Sequence, residues 1–261
     1  MLLLNRFALR DAGDFTFYDI QSNKAIVTLN TIKSANMDFT GETSYARGGY
    51  GNPKLVGFSS GREGKLALQD ALFDSSAIAM MTGNGLTSGA KDIDYKEIKT
   101  VTSSKLSLSK TPKGAIVSVY KVNPDGTNGQ EYTLGTPATN AKEFSVNGKE
   151  LTFHSSVTNG TSIRIYYVVT TASDAKTMKV TASSFGGTFK IVGNILVRDS
   201  FDGKDYPATI TIPRGKFEDN FSMALSVDGD PAVLDLPVEM LKDPVTDELW
   251  SMTVYNDADI L

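Results

Sequence analysis

Alternation of apolar and polar residues is the main pattern along this chain, and it predicts a mainly β protein. Residues 15–20 and 25–29 alternate in this way on either side of a turn-like segment. We expect a hairpin from residues 54–58 and 65–69, with its turn at residues 61–64. Further strands are predicted at residues 188–192, 195–198, 208–212, 220–226 and 249–255. Together these segments predict a β-sandwich or barrel assembled from both ends of the chain.

One short helix interrupts the strands. Asp74, Ser75 and Ser76 offer capping oxygens, residues 77–81 supply an apolar body, and Gly83 can adopt the left-handed conformation that ends a helix. A second helical turn is predicted around residues 237–242.

Residues 41–51 are polar and rich in glycine, and they show no periodicity. We therefore expect a long loop, an element that often has a functional or interface role in a compact domain. Its candidate contact residues are Tyr45, Arg47 and Tyr50.

The composition changes near residue 100, where the chain becomes rich in Ser, Thr and Lys. Short predicted strands alternate with Pro-Gly and Asn-Gly turn signals up to residue 174, a pattern typical of a small immunoglobulin-like β-sandwich. Because the segments before and after it are both β-rich, we interpret residues 101–174 as an inserted domain. The body then comprises residues 1–100 and 175–261.

Composition narrows the possible chemistry. The 261 residues include no Cys and one His, so thiolate chemistry and polyhistidine metal sites within one chain are excluded. The only imidazole, His154, ends a predicted strand, and no Gly-x-Ser-x-Gly elbow accompanies it. No apolar run approaches the length of a membrane span or a signal peptide, so we expect synthesis in the cytoplasm.

The other candidate motifs fit ordinary turns better than ligand-binding sites. Residues 83–89 resemble a dinucleotide fingerprint but have the wrong glycine spacing and follow a helix, and residues 57–65 lack the Ser/Thr of a phosphate-binding loop. Three acidic clusters do not match a calcium-loop spacing: Asp92/Asp94, Asp199/Asp202/Asp205 and Asp228/Asp230. We therefore predict no catalytic residue, no metal site and no cofactor.

The charge is unevenly distributed. The net charge is −4, but residues 218–261 carry eleven acids and one base. This segment is either an ordinary solvated face or a surface that repels phosphates, past which a nucleic acid can move without sticking. No basic patch of the kind that binds nucleic acids is present in the sequence.

Two stretches resemble the major tail protein, or tail tube protein, of long-tailed bacteriophages. The first is residues 57–83, a strand followed by the short helix and its Thr-Gly end. The second runs from residues 189–193 through 208–212 to 234–241 and 250–255. An inserted sandwich between the two halves also resembles the arrangement in members of this family.

The resemblance implies a virion protein that self-assembles into hexameric rings, which stack into the tail tube and form a conduit for DNA ejection. Its expected partners are further copies of itself, other tail proteins (tape measure, tail tip and terminator) and DNA that passes without specific binding. In the family the channel is mostly acidic, and the candidates here are Glu218, Asp219, Asp228, Asp230, Asp235 and Glu239. Residues 41–51 resemble the family's inter-subunit or inter-ring loop, and the insert would decorate the outside.

Two alternatives remain open from the residues alone. A head decoration protein or an adhesion module for a host surface or carbohydrate would use the insert as its binding domain. An enzyme that hydrolyses a cell-wall polymer would need a pair of carboxylates, which sequence cannot exclude.

Overall fold

The computed structural model describes residues 6–220 and 232–256. Within them the protein is mainly β, with seventeen strands and one short helix, which confirms the predicted fold class. The chain divides into two compact units. Unit 1 comprises the chain up to Leu86 and from Met178 onwards, and unit 2 is Thr87–Thr177.

Unit 1 is built on one eight-stranded sheet. Its strands are β1 (Phe7–Asp19), β2 (Ala25–Leu29), β3 (Ile32–Arg47), β4 (Lys54–Asp70), β14 (Thr188–Asp199), β15 (Asp205–Phe217), β16 (Leu234–Met240) and β17 (Ser251–Val254). They follow the order β2-β1-β14-β15-β16-β4-β3, and β17 also pairs with β15. All pairings are antiparallel. The sheet curls, so that β1 lies near β3. Its buried apolar side chains form one large core and a second, smaller cluster made of Ile195, Val197, Ala208 and Ile210.

The predicted helical turn at residues 237–242 is wrong, because residues 237–240 belong to β16 and the two that follow are not helical. In β16 every second side chain is buried, while Asp235, Pro237 and Glu239 are partly exposed. A period of two over seven residues outweighs the local helix propensity, because it places four apolar side chains in the core. The buried set is Leu234, Leu236, Val238 and Met240.

The short helix α1 (Ser75–Thr82) forms as predicted. The Asp74 side chain accepts hydrogen bonds from the backbone N–H groups of Ser76 (2.7 Å) and Ala77 (3.0 Å), so it satisfies two donors at the open helix end. Gly83 ends the helix with φ of 68°. A Cβ at Gly83 would lie 2.3 Å from the carbonyl oxygen of Phe185, so only glycine fits there.

The predicted long loop at residues 41–51 is also wrong. Most of it continues β3, which pairs with β4 as far as Arg47 opposite Lys54. The predicted turn at residues 61–64 is likewise absent, because β4 runs unbroken from Lys54 to Asp70. The two segments misled sequence reasoning because they form one long hairpin that is exposed on both faces. Neither strand therefore shows the alternation that burial of one face produces.

Unit 2 contains a seven-stranded sheet and a two-stranded ribbon. The strands are β5 (Thr87–Ser88), β6 (Asp92–Thr100), β7 (Lys105–Ser107), β8 (Ile116–Val122), β9 (Asn128–Leu134), β10 (Glu143–Asn147), β11 (Glu150–Phe153), β12 (Ser162–Thr170) and β13 (Lys176–Thr177). The larger sheet has the order β6-β12-β8-β9-β10-β11-β7. Its strands enclose one apolar core that includes Val119, Leu151 and Ile165.

The ends of unit 2 lie side by side, because β5 pairs with β13 with Ser88 opposite Lys176. The unit includes β6, which precedes the boundary at residue 101 drawn from composition and pairs along its length with β12. That this unit is an independent inserted domain of immunoglobulin type stays a prediction.

A partly buried hydrogen bond ties β6 to β12. The hydroxyl of Tyr167, which is 1% exposed, donates to Oε1 of Glu97 at 2.6 Å. Partial burial works to raise the pKa of Glu97, but hydrogen bonds from Ser109 and Tyr167 outweigh it and lower that pKa below its ordinary value. Burial, followed by the bond to Glu97, raises the pKa of Tyr167. The pair is therefore a proton donor and an ionised acceptor at neutral pH.

Candidate assembly surfaces

The far ends of β3 and β4 form a projecting hairpin, which we call the arm (residues 40–63). Its strands pair from Thr40 opposite Glu63 to Arg47 opposite Lys54, a length of about 27 Å at roughly 3.4 Å per residue. Every residue of the arm is exposed except Gly48, which is partly exposed. An isolated two-stranded hairpin is marginally stable in water. The arm therefore lacks, within the described residues, the second layer that a stable hairpin needs.

One face of the arm carries an exposed apolar strip. Val56 lies opposite Ala46, and Phe58 lies opposite Ser44, so these side chains share a face. Val56 is 54% exposed and Phe58 is 59% exposed. At the tip, Tyr50 is fully exposed. Contiguous exposed apolar residues of this kind mark interaction surfaces.

The other face of the arm is organised around Tyr45. The ammonium of Lys54 lies 3.8 Å from the centroid of the Tyr45 ring, a cation–π contact. A Cβ at Gly57 would lie 3.2 Å from the same ring, so the glycine leaves room for it across the strand pair. Arg47 and Lys54 are the only charged residues among positions 44–58, so the outer part of the arm is positive.

Strand β3 forms an edge of the sheet. Over its sixteen residues it pairs with β4 alone within residues 6–220 and 232–256. Such an edge presents unpaired backbone donors and acceptors, which are a template for pairing with another chain. Sequence reasoning missed this edge because it treated half of the strand as a loop.

The outward face of β3, β4, β16 and β15 carries a row of opposite charges. The register places Asp38 opposite Lys65, Lys65 opposite Glu239, and Glu239 opposite Lys216. A second row places Gln69 beside Asp235, and the Gln69 amide donates to that carboxylate at 3.0 Å. We call the whole set the charged face: Asp38, Glu63, Lys65, Lys216, Glu218, Asp219, Asp235 and Glu239.

Ion pairs organise the charged face without neutralising it. Lys65 Nζ lies 2.7 Å from Glu218 Oε1, and Lys216 Nζ lies 3.6 Å from Asp219 Oδ2. The hydrogen bond to Glu218 and the charge of that group, aided by Glu239 and Glu63, raise the pKa of Lys65. The eight side chains comprise six carboxylates and two ammonium groups. The face is therefore acidic, with a net charge of −4 at neutral pH.

Four of the six sequence-predicted lumen candidates lie on this face, namely Glu218, Asp219, Asp235 and Glu239. Asp228 and Asp230 lie outside the described residues. The acidic segment did not indicate that Lys65 and Lys216 share the surface, or that Asp38 and Glu63 contribute to it from the other end of the chain. Alternation within β4 was the available signal for Lys65 and Glu63, which are two residues apart.

The other titratable candidates have local partners. His154 Nδ1 lies 2.7 Å from Ser156 Oγ in a turn after β11. Asp202 accepts hydrogen bonds from the Tyr206 hydroxyl and from the backbone N–H of Lys204. Arg198 contacts both oxygens of Asp205 at 2.6 and 2.7 Å. Among the described residues, no group of three or more His, Asp or Glu side chains is arranged to hold a metal ion.

The comparison with known families decides the class of the protein. The model of the YomU/Tube protein family matches residues 7–254, which include both halves of unit 1 and all of unit 2. The chain belongs to the YomU/Tube protein family. No curated protein matches it.

Family membership confirms the resemblance to phage tail tube proteins that residues 57–83 and 189–255 carry. The protein is a tube-type structural protein of a phage virion, a class that self-assembles together with other tail components. A structural tube family also indicates a role other than catalysis. No helix in the part of the chain that the structure describes is long and apolar enough to cross a membrane.

Proposed function

We propose that this protein is the repeating subunit of a phage tail tube, in which hexameric rings stack into a conduit for the DNA that leaves the particle. The arm is the observation that carries this proposal. It exposes Val56, Phe58 and Tyr50 at once, and a second copy of the chain supplies the missing layer. Membership in a tube family supports the proposal that the partner of the arm is a second copy of the same chain.

The edge of β3 supports ring closure by strand pairing. A neighbouring copy that adds a strand there satisfies the unpaired backbone groups and extends the sheet around the ring. In this arrangement Tyr45, Arg47 and Tyr50 are inter-subunit residues, as the sequence analysis expects of them.

The charged face is the proposed lining of the channel. A face with a net charge of −4 per subunit repels the phosphates of DNA, so the nucleic acid passes without binding. Its two lysines are paired with Glu218 and Asp219. Because their charges are already paired, they attract the DNA phosphates only weakly. We further propose that the subunit is made in the host cytoplasm, that unit 2 decorates the tube exterior, and that tape-measure, tip and terminator proteins contact the tube.

Electron microscopy of the purified protein over a concentration series, with mass measurement by light scattering, tests this function. Rings or hollow tubes with six subunits per ring support it. Closed particles without a channel contradict it. A monomer at every concentration favours the alternative, a decoration or adhesion module that acts through unit 2.

A further inference from the structure

A groove on unit 2 has no role in the proposed tube. It lies on the outward face of β6, β12 and β8 and has a volume of about 540 Å³. This volume falls within the range of about 300–1,000 Å³ that small-molecule sites occupy. Side chains that line it include Lys96, Ser118, Tyr120, Asn128 and Tyr166.

The strand register explains why these side chains share one face. Ile165 and Tyr167 are buried in the core of unit 2, so Tyr166 between them points outward. Tyr166 lies opposite Lys96 on one neighbouring strand and opposite Ser118 on the other. A row of hydrogen-bonding groups therefore crosses the sheet on both sides of a tyrosine.

Two tyrosine rings form the apolar part of the groove. The centroids of Tyr120 and Tyr166 are 6.3 Å apart, and the ring planes meet at 79°. The Tyr120 hydroxyl donates to Glu131 at 3.3 Å, which limits the rotation of that ring. Val117 is 65% exposed beside them. The groove thus offers aromatic surface in two orientations together with an aliphatic wall.

The charges around the groove balance. Asp94 and Lys96 lie on the same side of β6, and Tyr120 is flanked by Arg164 and Glu131 in the register. The Arg164 guanidinium donates to Asn128 Oδ1 at 2.5 Å and to the Gly126 carbonyl at 2.9 Å. An anionic or a cationic ligand finds no excess of opposite charge here, in contrast to the charged face of unit 1.

Arg164 is also incompletely satisfied by its own unit. Its Nε is buried and has no hydrogen-bond partner among the described residues. Such a group carries an energetic cost.

We propose that this groove binds a neutral polysaccharide. The C–H faces of a sugar ring pack against aromatic rings, as on Tyr120 and Tyr166, while its hydroxyls exchange hydrogen bonds with Lys96, Ser118 and Asn128. The balance of charge favours an uncharged sugar over a phosphorylated or acidic one. An extended peptide is a poorer fit, since its backbone pairs with the edge of a sheet and this groove lies on a face.

Isothermal titration of the full chain tests this proposal. The probes are cellohexaose, maltohexaose and chitohexaose, with polygalacturonate as the acidic comparison. We expect at least one neutral oligosaccharide to bind, and we expect Tyr166→Ala to weaken that binding roughly tenfold. Tyr166→Phe, which retains the ring, should bind nearly as tightly as the parent. Phe201→Ala, a truncation of an exposed aromatic ring in the turn between β14 and β15, is the matched control and should leave binding unchanged.

Three results overturn the proposal. They are the absence of binding to all three neutral probes, binding of polygalacturonate alone, and neutral binding that Tyr166→Ala leaves intact. Circular dichroism of each variant shows whether unit 2 is folded. If Tyr166→Ala is not folded, Tyr120→Ala, which removes the other ring of the groove, provides the readout and should weaken binding in the same way. None of these outcomes depends on tube assembly, so failure here leaves the proposed function of unit 1 standing.

Discussion

Replacing Phe58 by Ser removes the largest apolar side chain from the exposed strip of the arm. The substitution keeps the strand pairing, because the backbones of Phe58 and Ser44 make that pairing and both side chains are exposed. The aromatic ring makes no part of the core of unit 1. We therefore expect the change to act on association between subunits and to leave the folded subunit intact.

The exposure of Phe58 sets the size of the effect. At 59% exposure, the residue leaves about 120 Å² to be covered, taking roughly 200 Å² for a whole phenylalanine. At about 25 cal/mol per Å², full coverage contributes about 3 kcal/mol per contact. Loss of this contact corresponds to a roughly hundredfold increase in the dissociation constant between neighbouring subunits. The free energy of unfolding of the subunit should change by less than about 0.5 kcal/mol, as for other exposed sites.

Sedimentation over a concentration series measures the concentration at which half of the protein is assembled. We expect a rise of roughly two orders of magnitude for Phe58→Ser. The matched control is Phe201→Ser, in the turn between β14 and β15, where the ring is 86% exposed. If the Phe58 variant assembles at the concentration of the parent, or if the control loses assembly to the same extent, the reasoning about the arm is refuted.

Three further predictions follow from other parts of the molecule. Tyr167→Phe should destabilise unit 2 by about 1–2 kcal/mol in chemical denaturation. Because the folded-state pKa of Glu97 is lowered, the hydrogen bond stabilises the fold above the unfolded-state pKa, and this stabilisation is lost as pH falls through the folded-state pKa. The variant should therefore lose less stability on acidification than the parent, and equal losses would contradict this. Replacing residues 88–176 with two glycines should leave unit 1 folded, since Ser88 and Lys176 are paired neighbours, and insoluble protein would show that the units are one fold. The double variant Glu63→Lys/Asp235→Lys brings the charged face to zero net charge. Tubes of this variant should retain DNA at low salt and release it as the salt concentration rises. If they release DNA as freely as the parent tubes do, this face does not line the channel.

Sequence reasoning succeeded where local pattern and burial agree. The helix α1 was predictable because its signals are local: Asp74 before the apolar run and Gly83 after it are sufficient to begin and end a helix. The β class was predictable for the same reason, since strands such as β12 bury every second side chain.

Sequence reasoning failed where the structure departs from a half-buried strand. The arm is exposed on both faces, so β3 beyond Thr40 shows no alternation, and the sequence predicted a loop there. The charged face could be predicted only in part. The carboxylates at residues 218–239 stand out as a local cluster. Their union with Lys65 depends on the pairing of β16 with β4, which lie more than a hundred residues apart in sequence. Asp38 then joins the face through the pairing of β3 with β4.

Cryo-electron microscopy of assembled particles, with averaging to the level of individual strands, is the most direct measurement of how the subunit works. We expect six subunits per ring, with Phe58 of each arm covered by a neighbouring copy and with Glu239 and Asp235 facing a central channel. Rings of a different subunit number, arms that extend into solvent, or a charged face on the outer surface would contradict the proposed tube.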